Sequence, residues 1–82
     1  MRHKYVIDEL ENFMIFSENV QHISAGRILT DVNHTKIIGA GFVSLENGEV
    51  HCYGKSASLG IESRGSFDDE VIADSLVLDI ME

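Results

Sequence analysis

Twelve residues, FVSLENGEVHCY (Phe42–Tyr53), constrain this chain more than any other stretch. Asn47-Gly48 stands between two runs rich in β-branched and aromatic residues. Both central residues of a type I′ turn need positive φ, which Asn-Gly tolerates best. The turn pairs Glu46 with Glu49 and so fixes the register. Leu45 then faces Val50, and Val43 faces Cys52, giving one apolar face. Ser44 opposite His51 and Phe42 opposite Tyr53 make a mixed second face. A hairpin over residues 36–54 is therefore predicted. Gly39 and Gly41 in its first strand suggest a bulge or the close approach of another backbone.

The remaining elements are read around this hairpin. The chain has no proline, so Gly and Asn must make its turns. Ser17 is placed to cap a helix from Glu18 to Val32, with Val20, Ile23, Ala25, Ile28, Leu29 and Val32 as its apolar stripe. Asn33 suits its end, and Gly26 weakens it by about 1 kcal/mol relative to Ala. KYVID and FMIFS fit either a helix or two strands around Glu11-Asn12. Ser66 followed by Phe67-Asp68-Asp69-Glu70 reads as a second helix start with solvent-facing acids. That helix should run to Asp74. SLVLDIM beyond it is apolar on every side at helical spacing, so a terminal strand carrying Leu76, Leu78 and Ile80 is expected. The fold class is then α+β, one mixed sheet of about five strands with two helices packed against it.

An apolar fraction of 44% supports a core and argues against disorder. Eighty-two residues suit one domain spanning residues 1–82. The longest apolar runs, Phe13–Phe16 and Ile37–Val43, fall far short of the ~18 residues of a membrane span. No apolar segment follows Arg2 and Lys4, so no secretory leader is expected. A lone cysteine, Cys52, fits a reducing cytoplasm. A formal charge of −8 argues against general nucleic-acid binding. The acids are unevenly spread, however. Residues 50–67 hold one acid, Glu62, against Lys55, Arg64 and His51. Residues 19–45 hold one acid, Asp31, against Arg27, Lys36, His22 and His34. Together these segments can form a neutral-to-basic patch.

Chemistry concentrates in HCYGKSASLG, residues 51–60. Small residues from Gly54 to Gly60 allow successive backbone amides to turn inward around an anion. A plain connecting loop is the competing reading. The Gly-Lys-Ser triplet is not a nucleotide-hydrolysing loop, because Glu49 stands where the first glycine belongs. No His or Cys pair has metal-ligand spacing. His51 and Cys52 are strand neighbours and point to opposite faces.

KIIGAGFVSLENGEVHCYGKSASLG (residues 36–60) resembles the Janus/ocnus family, whose best-known members are small protein histidine phosphatases. The family carries a glycine-rich strand G-G-G-R-I-S, a hairpin, and then H-V-Y-G-x-S-x-x-x-G. Gly39-Ala40-Gly41-Phe42-Val43-Ser44 and His51 to Gly60 stand at those places. The resemblance implies phosphate contacts from Ser56, Ala57, Ser58 and Gly60, and from Lys4 at the head of a Lys-Tyr-Val first strand. It implies a catalytic role for His22 at a helix start, two strands at the N-terminus, and no metal or other cofactor. The partner implied is phosphate or a phosphorylated protein, and the reaction is hydrolysis of the phosphohistidine N–P bond. Three departures are visible. Phe42 stands for the family's arginine, Met14 lies near the place of a second one, and Arg64 lies in the region of a later histidine. Two alternatives keep the same residues: a non-catalytic phosphate- or phosphoprotein-binding domain, and an acidic module that binds a basic partner through residues 68–82.

Overall fold

The computed structural model describes residues 2–81, with side chains up to Ser75. Strands β1 (Arg2–Asp8) and β2 (Phe13–Phe16) precede helix α1 (His22–Asn33). Strands β3 (Ile37–Glu46), β4 (Glu49–Tyr53), β5 (Lys55–Ser56) and β6 (Ile61–Glu62) follow, and helix α2 (Ser66–Met81) comes last. Four strands form a sheet in the order β2-β1-β3-β4, and β5 and β6 form a separate two-stranded ribbon. Every pairing is antiparallel, so the sheet is neither mixed nor five-stranded.

The hairpin follows the predicted register from Phe42↔Tyr53 to Glu46↔Glu49. Asn47 (φ 52°) and Gly48 (φ 79°) both take the left-handed conformation of its turn. A bulge lies beside Gly39, where side chains approach closely, and another backbone comes close only at Gly41. The β1–β3 register shifts between Ile7 and Asp8. A Cβ at Gly39 would lie 2.5 Å from Asp68 Oδ2, and one at Gly41 would collide with the Tyr53 carbonyl.

The sheet is covered on both faces, which explains why Tyr5 to Asp8 are buried without alternation. Tyr5, Ile7, Val43, Val50, Cys52 and Ile72 of α2 form one core. Val6, Ala40, and Ala25 and Leu29 of α1 form the other, with Met14, Phe16 and Leu59 against it. The helices therefore sandwich the sheet.

Helix α1 starts later than its sequence suggests. Ser17 is spent on a separate turn, in which its hydroxyl accepts the Asn19 amide at 3.2 Å and its carbonyl accepts the Val20 amide at 3.0 Å. Gln21 becomes the N-cap in extended conformation, and His34 closes the helix in the left-handed region. The inward stripe is accordingly His22, Ala25, Gly26 and Leu29, leaving Ile28 and Val32 exposed. A Cβ at Gly26 would meet Ile37 and Leu59 at 3.5 Å, ordinary contact distance. Gly26→Ala should thus gain helix propensity without strain. Chemical denaturation should show about 0.5–1 kcal/mol of added stability.

The expected terminal strand is absent. Residues 76–81 continue α2 instead. Neither glycine nor proline follows Gly65 to stop the helix. The β4 edge of the sheet is engaged by α2 itself, since Asp69 Oδ1 accepts the Cys52 amide at 2.5 Å.

The β1–β2 turn is held by Asp8, which is fully buried. Its carboxylate accepts the Leu10 and Asn12 amides, the Asn12 side-chain amide, and the Thr35 hydroxyl at 2.6 Å. Burial alone would raise its pKa, but these donors outweigh burial and hold it below the ordinary value. The stabilisation is fully present above the unfolded-chain value of about 3.9 and is lost as pH falls through the lower folded value. The stability advantage of the native chain over Asp8→Asn should be constant above about pH 4 and shrink below it. Urea melts at stepped pH measure this directly.

Candidate functional site

Strand alternation puts Lys4 and Phe42 side by side on the α1 face of the sheet, in register, with Phe16 on the other side of Lys4. Helix α1 begins over this spot, and the loop between β5 and β6 folds toward it. The result is a cleft of about 300 Å³ lined by Lys4, Gln21, His22, Phe42, Lys55, Ala57 and Ser58. Among the described residues two lysines face it and no carboxylate does, in a chain of formal charge −8.

His22 is the first residue of α1 and only 5% exposed. Its ring meets Phe16 and Phe42 edge-on, at centroid distances of 5.5 and 6.0 Å. Nε2 lies 2.8 Å from the Gly41 carbonyl oxygen. A carbonyl can only accept, so Nε2 carries the proton of that bond and, in the neutral ring, Nδ1 carries the lone pair. No buried side-chain nitrogen or oxygen among the described residues lacks a partner. Nδ1 has no protein partner among them, so it reaches solvent. Gly41 therefore has two roles: its carbonyl orients the His22 ring, and its missing side chain makes room for the Tyr53 carbonyl of β4.

The loop is partly committed to its own turn. Ser56 is buried; its hydroxyl accepts the Leu59 amide at 3.1 Å and its carbonyl accepts the Gly60 amide at 2.9 Å. The Ser58 hydroxyl sits 3.4 Å from that of Ser56. Gly60 (φ 67°) closes the turn and lies outside the cleft. Ser56 and Gly60 thus shape the loop instead of facing the cleft, because the turn consumes their polar groups. The amides of Ala57 and Ser58 make no hydrogen bond among the described residues. Lys4 Nζ donates to the Val20 carbonyl at 2.9 Å, which holds the lysine beside the helix start.

The cleft thus brings together Lys4, His22, Ala57 and Ser58 from the residues singled out in the sequence, and adds Lys55, Gln21 and Phe42. Lys55 was visible in the Gly-Lys-Ser triplet, but nothing local showed which way it points. The broader basic patch is not a single surface around this cleft. Of its cations, Arg64 pairs with Asp68 at 2.7 Å, and Arg27 and Lys36 do not line the cleft.

Of the acids at the α2 start, Glu70 faces solvent as expected, but Asp68 and Asp69 do not. Asp68 is fully buried. The Tyr5 hydroxyl donates to it at 2.5 Å, and the Arg64 amide and guanidinium at 3.0 and 2.8 Å. Burial, then the Asp68 hydrogen bond, pushes the Tyr5 phenol far above its ordinary value. Asp68 and Asp69 are both engaged internally, so neither offers a free charge to a basic partner. Cys52 is buried, and burial followed by the neighbouring Asp69 pushes its thiol well above the ordinary range, unlike a nucleophilic cysteine.

No family model, curated protein or solved structure matches this chain. Among the described residues, no helix is long and apolar enough to cross a membrane. No group of three or more His, Cys, Asp or Glu among them is placed to hold a metal ion.

Proposed function

We propose that the cleft binds the phosphoryl group of a phosphorylated protein and that the chain is a phosphohistidine-phosphatase-like hydrolase of Janus/ocnus type. The observation that carries the reading is the meeting of Lys4, Lys55 and the Ala57 and Ser58 amides with the His22 ring around one cleft, where among the described residues the two amides are unbonded and no carboxylate is present. Phosphoryl transfer needs little beyond positioning and charge stabilisation. The lysines and amides meet the phosphoryl oxygens, where negative charge is spread as the N–P bond breaks. Nδ1 of His22 is the basic atom. It either attacks phosphorus, forming a phospho-His22 that water then hydrolyses, or takes the proton of an attacking water; in both routes the substrate N–P bond breaks and the departing imidazole nitrogen takes a proton from solvent. The Gly41 carbonyl keeps Nε2 protonated and the ring aimed. Ser56 acts through the loop, presenting the two amides.

A second reading, phosphate or phosphoprotein binding without turnover, is favoured by the tight enclosure of His22 between two phenylalanines. A phosphohistidine peptide separates the two. The expected result is inorganic phosphate released faster than spontaneous decay. Binding of the peptide with release at the spontaneous rate would establish the second reading. Neither binding nor release would reject both.

A further inference from the structure

Arg2 lies two residues before Lys4 on β1 and therefore projects from the same face of the sheet. Its guanidinium sits 4.1 Å from the centroid of Phe42, whose ring lines the cleft. Its carboxylate partner is Glu18, and both side chains are about half exposed, at 51% and 44%. Glu18 belongs to the Ser17–Val20 turn, the same turn whose carbonyl holds Lys4. One short turn thus engages both β1 cations at the mouth of the cleft.

Resting on the phosphate-binding reading, we infer that Arg2 is a third cationic phosphate contact, an exchangeable one, and that Glu18 is its internal competitor. An exposed ion pair and an exposed cation–π contact hold a side chain weakly. A phosphoryl group offers the same planar fork two oxygens and more charge than a carboxylate. Arg2 leaves Glu18 when phosphate enters and closes over it from the Phe42 side. Glu18 sets a threshold: it disfavours weakly charged anions and yields to a phosphoryl dianion. The sequence reading did not single out either residue, because their meeting depends on the Ser17 turn replacing the expected first turn of α1.

The test is titration of the full chain with inorganic phosphate in low salt, in five forms. Wild type should bind and Lys4→Met should bind weakly. Arg2→Gln should weaken binding about tenfold. Glu18→Gln should tighten it about threefold. The double variant Arg2→Gln/Glu18→Gln should match Arg2→Gln alone, since the competitor acts only through Arg2. Unchanged affinity in Arg2→Gln, with wild type binding and Lys4→Met impaired, would overturn the inference and leave the cleft reading standing. Equal tightening by Glu18→Gln in both backgrounds would reduce Glu18 to a general field and also overturn it. No binding by wild type would remove the inference and the cleft reading together.

Discussion

Replacing His22 with alanine should slow phosphohistidine hydrolysis by about two to four orders of magnitude, the usual contribution of a positioned acid–base group. Phosphate affinity should change far less, because Lys4, Lys55 and the loop amides remain. The split between rate and affinity is the informative result. A residue that merely packed between Phe16 and Phe42 would, when truncated, loosen the loop and lower both together. His22→Gln, which keeps a donor for the Gly41 carbonyl, should preserve the fold but not the rate. Equal hydrolysis by wild type and His22→Ala would remove Nδ1 from the mechanism.

The largest expected change in stability lies on the opposite face of the sheet. Asp68→Ala should lose about 3–5 kcal/mol, because it removes a buried charged acceptor of three hydrogen bonds, one from the Tyr5 hydroxyl, which retains Ser63, and two from the Arg64 amide and guanidinium. Total stability for a chain of this size is roughly 4–12 kcal/mol, so the variant should be marginal at best. Its thermal midpoint should fall by about 15–30 °C. Tyr5→Phe deletes one donor and should lose about 1 kcal/mol. Had Asp68 been a solvent-exposed acid at a helix start, its removal would matter by only about 0.3–1 kcal/mol. Calorimetry of the two variants distinguishes these cases without ambiguity.

These contrasts show which features are legible in a single sequence. The hairpin was legible because Asn47-Gly48 is a local instruction; the turn alone sets the register of five residue pairs. The spacing at Gly39 and Gly41 announced a close approach, though not by what. The start of α1 was not legible, because a serine before a helical pattern can cap a helix or close a turn, and Ser17 does the second. The end of α2 was hidden for a different reason. A segment apolar on every side carries no periodicity, and its state is decided by which sheet edge is free. Asp68 was misplaced because its partner Tyr5 stands 63 residues away, and no local pattern reports that contact.

The site divides along the same line. The loop was singled out by its run of small residues, Lys4 and the catalytic role of His22 by resemblance to a known motif, and the structure brings Lys4, His22, Ala57 and Ser58 around one cleft. Composition could not have joined them, since three separate elements supply them. Ser56 and Gly60 belong to the motif but serve the turn, because so short a loop must first satisfy its own backbone. Lys55 and Arg2 were passed over because neither carries a signal until strand direction and the Ser17 turn are known.

The most direct measurement is a phosphate titration of the whole chain followed through its backbone amide resonances. The account predicts saturable shifts at millimolar phosphate, largest at Ala57 and Ser58 and accompanied by the His22 ring, with Leu59 and Gly60 moving less because their amides are already bonded. Resonances of residues 55–60 that stay fixed across that range, or shifts confined to another face of the sheet, would contradict it.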